Sequence, residues 1–242
     1  MDKEKAERIQ RIFNWVRFII LVLFLAFVFI GLSKAQTTYD FGMWVSAGAE
    51  KNVNDSWRLG VSTELRTKDN TGSVDRWQLG VSGTYKVSKV LKLGGGYEFH
   101  LKNRTVDDMT ETVPRHRLMF DITPGGKVFD WLKLSLRERY QYTYMMQKGN
   151  VDASHEHHLR NRFKAEIANS KMKCWSPFAS VEMFNNMAKQ FQVDEMRVAL
   201  GTTYNINTRH DINFGYLLDL KRSANGLNNA LHVLTSGYVV IF

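Results

Sequence analysis

Leu231-His232-Val233-Leu234-Thr235-Ser236-Gly237-Tyr238-Val239-Val240-Ile241-Phe242 is the stretch on which the reading of this chain turns. Side chains of an extended segment alternate between two faces. Leu234, Tyr238, Val240 and Phe242 therefore share one face, and the sequence stops on an aromatic with no polar tail. A buried last strand of a soluble domain has the same alternation. The rest of the chain has to decide between the two.

Working back from it, alternation with period two dominates everything after Gln36. Trp57-Arg58-Leu59-Gly60-Val61-Ser62 is echoed at Trp77-Gln78-Leu79-Gly80-Val81-Ser82. Two copies are strand grammar, not a solenoid. Leu91, Leu93, Gly95, Tyr97, Phe99 and Leu101 alternate with polar residues or glycine, as do Leu118-Phe120-Ile122, Leu132-Leu134-Leu136 and Tyr140-Tyr142-Tyr144. Phe163, Ala165 and Ile167, then Met196-Val198-Leu200, then Ile212-Phe214-Tyr216-Leu218 continue the pattern. The stretch Phe178–Phe184 is the least clear.

Counting Phe41–Glu50 and the final stretch gives eleven extended segments. Each is roughly ten residues, the length a tilted membrane strand needs. Connections near 68–75, 103–114, 146–155, 186–190 and 222–229 read as long. Those near 51–55, 88–89, 124–129, 169–174 and 205–208 read as short, and this alternation fits an outer-membrane barrel with its long loops outside. Trp57, Trp131, Trp175, Tyr85 and Tyr204 then fall at periplasmic strand ends as an interfacial girdle. The expected fold is all-β: an antiparallel, transmembrane, up-and-down β-barrel of ten to twelve strands over 36–242. Eleven is odd where single-chain bacterial barrels are even. Either a strand is uncounted, or Phe41–Glu50 is a lead-in or plug. Glu138 falls on the otherwise apolar face, to be explained by a β-bulge turning it inward or by a position at the membrane interface.

Ahead of the barrel, Met1–Arg17 is charged, Phe18–Leu32 carries no charge, and Ser33-Lys34-Ala35 places small residues before Gln36. This is the pattern of a secretory signal peptide over 1–35, cut between Ala35 and Gln36, with an uncleaved anchor helix as the alternative. The chain of 242 residues carries a formal charge of +9, spread without a basic block, so no nucleic-acid partner is expected. Cys174 is the single cysteine, which excludes an internal disulfide.

The faces sort by chemistry. Leu59, Val81, Leu134 and Val198 are expected to meet lipid. Arg58, Glu64, Arg66, Glu98, Arg137, Arg139, Arg160, Arg162, Glu195 and Arg197 are expected to form a charge network in the lumen, joined by Arg115, Arg117, Lys164, Asp121, Glu166, Asp211 and Asp219. Ten to twelve strands enclose little more than the side-chain-filled space of an eight-stranded barrel, so opposite charges are expected to plug it, leaving at most a narrow, anion-preferring path.

Two resemblances bear on this. Gly237, Tyr238, Val240 and Phe242 resemble the C-terminal assembly signal of bacterial outer-membrane barrels, which implies the barrel-assembly machinery and outer-membrane lipid as partners. Asp40-Phe41-Gly42-Met43-Trp44, Glu64-Leu65-Arg66-Thr67, Asp75-Arg76-Trp77 and Leu136-Arg137-Glu138-Arg139-Tyr140-Gln141-Tyr142-Thr143-Tyr144 resemble the family known as domain of unknown function 2490. Its members are predicted outer-membrane proteins common in Bacteroidetes-type bacteria. The resemblance implies an exported barrel and supplies no functional residues.

Chemistry is sparse. His155-Glu156-His157-His158 has metal-ligating types, with His155 and His157 on one strand face, but reads as a polar cluster in a surface loop. Asp107-Asp108 would face it across the rim as solvated loop carboxylates. Ser82 stands in Gly-Val-Ser-Gly, one residue short of a nucleophile elbow, and Gly94-Gly95-Gly96 and Gly125-Gly126-Lys127 lack the strand-to-helix setting of a phosphate loop. No catalytic, cofactor-binding or metal residue is assigned, and no cofactor is expected. Three classes stay open: a structural or narrow-pore barrel, an outer-membrane hydrolase acting on lipid or peptide, and a surface-loop receptor. The first is favoured, with no enzyme activity assigned and the oligomeric state undetermined.

Overall fold

The computed structural model describes residues 37–106, 109–168, 174–222 and 228–242. The expected signal segment, its cut between Ala35 and Gln36, and Asp107-Asp108 lie outside the described residues. Strand β1 spans Thr37–Asn52, β2 Trp57–Lys68, β3 Ser73–Lys86, β4 Leu91–Val106, β5 Met109–Phe129 and β6 Leu132–Met145. Then follow β7 (Ser154–Ile167), β8 (Trp175–Asn186), β9 (Gln192–Asn205), β10 (His210–Arg222) and β11 (Asn228–Ile241), with a short 3-10 turn at Met187–Lys189.

Each strand pairs with its neighbour in sequence, and β11 returns to β1, so the sheet closes into a barrel of eleven strands. The ten consecutive pairings are antiparallel. Ten reversals leave β11 running the same way as β1. The closing hydrogen bonds agree: Phe242 N–H donates to the Glu50 carbonyl (2.8 Å) and Asn52 N–H donates to the Phe242 carbonyl (3.1 Å). One residue bonding to positions on either side of its partner is the slanted, parallel pattern. The even-number rule presumes an antiparallel closure, and a parallel seam removes that condition. Phe41–Glu50 is accordingly neither lead-in nor plug but the body of a full strand.

At this seam the glycine of the terminal pattern has a local reason to be there. A Cβ on Gly237 would stand 2.6 Å from Ser46 Oγ on β1. Tyr238 (40% exposed) and Phe242 (68%) face outward with Leu234 (47%), as alternation requires. Truncation at Phe242 would remove two seam hydrogen bonds along with the ring.

The outer wall is apolar. Leu59, Val81, Leu79, Phe120, Leu200 and Phe214 are each about half exposed. Leu134 and Val198 lie on the same outer parity of β6 and β9, half-buried. The hexapeptide echo has a geometric use: Val61 faces Val81 across the ladder, and Gly60 and Ser62 face Ser82 and Gly80, so glycine meets serine on the inner face twice. Trp57 packs on Tyr85 (ring centroids 5.0 Å) and Trp175 on Tyr204 (4.6 Å) at the barrel end that carries Phe242, with Trp131 beside Phe129 (5.9 Å).

Several connections differ from expectation. Residues 103–106 and 109–114 are not loop, because β4 and β5 stay paired out to Val106–Met109. Nor is 124–129, since β5 runs on to Phe129 and turns only at 130–131. The length asymmetry sits in hairpins that outgrow the wall as much as in loops. The turn 69–72 is short, and Asp69, Asn70 and Thr71 all have positive φ (54°, 53° and 68°). The Asp40 carboxylate holds it, accepting N–H bonds from Phe41 (2.7 Å), Asp69 (2.9 Å) and Asn70 (2.8 Å). Asp40→Ala should leave the barrel closed while the Asp69 and Asn70 amides exchange hydrogen at least tenfold faster; unchanged exchange would show that the turn holds itself.

Glu138 is the other correction. No bulge interrupts β6 there; Glu138 pairs with Ile122 and Asn161 in unbroken register and points outward from mid-strand. Its carboxylate accepts a hydrogen bond from Asn161 Nδ2. Asn185 Nδ2 in turn donates to Asn161 Oδ1 (2.5 Å) and to the Leu159 carbonyl (3.1 Å), so a three-residue polar patch interrupts the apolar wall.

Candidate functional site: the charged lumen

The inner parity of the strands is where charge collects, and it takes the place of a hydrophobic core. The single apolar core cluster among the described residues is small: Val113, Met145 and Val151, with Val106 against it. Elsewhere buried Trp44, Met119, Phe184 and Val233 are interspersed with buried polar side chains, including Arg66, Arg76, His100, Arg115, Arg160, Glu182 and Asp219. A charge in a confined lumen is tolerable only with its counter-charge at hand.

The recurring unit is one carboxylate shared by two basic side chains. Glu98 lies between His100 (2.9 Å) and Arg117 (3.0 Å), and Glu166 between Lys133 (3.2 Å) and Lys164 (2.8 Å). Asp219, fully buried, joins Arg197 (3.3 Å) to Lys221 (3.3 Å), while Glu195 takes Arg197 from the other side at 2.5 Å. Asp75 joins Arg76 (2.8 Å) to Lys102 (3.7 Å). Glu182 accepts from Arg137 (2.6 Å) and from Arg160 (2.9 Å). Arg139 instead holds Asp121 with two bonds of 2.6 Å, the fork-on-fork geometry that fixes both groups.

The sequence-derived network divides accordingly. Glu64 and Arg66 pair at 2.5 Å, and Glu98, Arg137, Arg139, Arg160, Glu195 and Arg197 are all lumenal and paired. Arg58 sits half exposed at the rim with Glu50 (3.1 Å), away from the central network. Among the described residues Arg115 donates only to Met145 Sδ (3.2 Å), and Asp211 accepts from Asn205 (2.6 Å). Arg162 faces Arg137 on one side and Glu182 on the other, yet closes no ion pair among the described residues.

Glu182, Asp75 and His100 were not anticipated. Nor were the aromatic rings inside. Arg66 lies over the ring of Trp44 (3.6 Å), Arg160 over Phe184 (4.2 Å) and Lys164 over Phe178 (4.5 Å). Phe178 also crosses Gly201, where an added Cβ would stand 2.8 Å from the ring and 2.6 Å from the Phe214 carbonyl oxygen. A guanidinium over an aromatic face is attractive, and the planar cation tolerates such stacking.

A cavity of about 1060 Å³ occupies the lumen. It is walled by Arg137, Arg160, Arg162 and Glu182 in mid-barrel and reaches Lys189 and Arg222 at the end away from Phe242. Lys164 and Glu166 are not among its walls.

The histidine cluster lies in strand β7, not in a loop. His155 and His157 share the outer face, with Nδ1 atoms 2.6 Å from the Tyr142 hydroxyl and 2.9 Å from that of Tyr140. His158 points inward, 3.9 Å from Asp194. Among the described residues no three His, Cys, Asp or Glu side chains converge as a metal site needs.

The family model described as a protein of unknown function (DUF2490) matches residues 41–230. The chain belongs to that family. The match spans β1 to the first residues of β11, so the eleven-stranded barrel with its charged lumen is the architecture of this DUF2490 member. No curated protein matches it. Among solved structures, the translocator domain of the autotransporter NalP from Neisseria meningitidis is similar at 11% identity and a TM-score of 0.48, over 73% of this chain and 72% of that one.

Proposed function

We propose that this protein is an outer-membrane barrel of structural or narrow-pore role, exported by its first 35 residues, whose lumen is closed to all but small ions. The observation that carries this reading is the shared-carboxylate arrangement: Glu98, Glu166, Glu182 and Asp219 each hold two basic side chains, at least one of them on another strand. Such cross-links fill the space a wide channel would need. The apolar outer wall supports a lipid setting, because water-soluble proteins rarely expose contiguous apolar surface on this scale. The aromatic pairs at the Phe242 end suit a headgroup boundary on the periplasmic side. In the same reading, outer-membrane lipid surrounds the wall and Gly237–Phe242 is the element that the barrel-assembly machinery reads.

Single-channel recording of the purified barrel in planar bilayers tests it. Silence, or brief small openings with anion preference, is expected at neutral pH. Large, stable, weakly selective openings would replace this reading with that of a general porin.

A further inference from the structure

The lumenal charges do not all balance, and the imbalance is local. On the inner face of β6 and β7, Arg137 stands directly across from Arg162, and Arg139 directly across from Arg160. Like charges at directly opposed ladder positions repel. Asp121 answers Arg139 alone. Glu182 is then the single carboxylate holding Arg137 and Arg160, and Arg162 holds none among the described residues. Three guanidiniums against one carboxylate leave two positive charges beside a cavity large enough for a small solute.

The donors point the same way. The Nε atoms of Arg137, Arg160 and Arg162 are all buried without an acceptor among the described residues. Arg160 is only 7% exposed, and its remaining bonds go to Gln141 (2.8 Å) and Glu182 (2.9 Å). A buried guanidinium with unmet donors is costly. An acceptor with several oxygens and two negative charges would answer both the charge and the donors, and guanidinium forks match phosphate oxygens in pairs.

We propose that Arg137, Arg160 and Arg162 form a binding site for a phosphate-class dianion in the lumen, either free inorganic phosphate or the phosphate of a small monoester, entering from the end that carries Lys189 and Arg222. Arg162 is the residue that makes the site, because Arg137 and Arg160 are already anchored on Glu182. The inference deepens the proposed function by naming a ligand class, and it stands on the lumen chemistry whether or not the barrel conducts.

Isothermal titration of the full barrel in neutral detergent, with inorganic phosphate against sodium chloride at matched ionic strength, is the test. Saturable phosphate binding is expected, at least tenfold weaker in Arg162→Gln, a change that breaks none of the ion pairs described above. Arg209→Gln, which removes the same charge from an exposed turn, should bind as the wild type does. Glucose 6-phosphate as a second titrant separates the sources: tighter binding than phosphate names a monoester, and equal or weaker binding names the free ion. Absence of saturable phosphate binding to the folded wild type, or equal binding by Arg162→Gln, overturns the site. If Arg162→Gln does not fold, the decision falls to the wild-type unfolding midpoint, which phosphate must raise beyond the matched chloride control. Binding without bilayer current would retain the site and reject the pore, whereas anion current without saturable binding would do the reverse.

Discussion

Glu182→Gln is expected to destabilise the barrel by about 3 kcal/mol or more, the cost of removing one partner from a buried charge pair. The carboxylate is only 6% exposed and sits between Arg137 and Arg160 at 2.6 Å and 2.9 Å. Glutamine keeps the shape and one acceptor but cancels the charge. Arg137, Arg160 and Arg162 would then face one another with no carboxylate among them, in strands whose register places Arg137 opposite Arg162. The urea midpoint of the barrel in detergent, followed by the gel shift between heated and unheated samples, reads this directly. An unchanged midpoint would mean that water in the cavity already screens the cluster and that Glu182 is not its keystone.

The second large effect separates the two faces of one strand. Leu79 is 48% exposed at the centre of β3, pointing out. Gln78, its neighbour, points in and lies directly across from Glu64. Leu79→Lys should cost about 2–4 kcal/mol in lipid vesicles, because an ammonium near the bilayer midplane has no counter-charge and no water. Gln78→Lys should cost far less, since the new amine meets the Glu64 carboxylate. Folding yields in vesicles of the two variants give the ranking. The opposite order would show that the apolar wall does not face lipid.

Parity was legible wherever one face was polar and the other apolar, and that covers most of the barrel. Arg58, Arg137, Arg162 and Arg197 alternate with Leu59, Leu136, Phe163 and Val198, so the period-two pattern identified both the strands and their faces. It failed on β8 for a physical reason. Phe178 and Phe184 point into the lumen under Lys164, Arg160 and Arg197, which makes both faces of that strand look apolar and hides Glu182 between them. Trp44 was lost in the same way beneath Arg66 and Arg197. Asp75 was missed because the ladder skips it: Arg66 pairs with Arg76 and Thr67 with Val74, and the bulge swings its carboxylate onto Arg76 and Lys102. Connection lengths misled because Thr105, Thr110 and their neighbours, polar enough for a loop, continue the β4–β5 ladder past the wall. That Arg162 closes no ion pair among the described residues depends on side-chain reach across strands, which no alternation pattern encodes.

The parallel seam has a topological consequence. An even-stranded barrel lets its chain in and out on one side of the bilayer; an odd number of crossings cannot. Here β1 and β11 run the same way, so Thr38 and Phe242 sit at opposite mouths. A peptide fused ahead of Thr38 would emerge among the hairpin tips at 69–72 and 146–153, while one fused after Phe242 would lie beside Trp57 and Trp175. The backbone therefore links the two mouths of the barrel, and a cargo can be attached at either one by the choice of terminus.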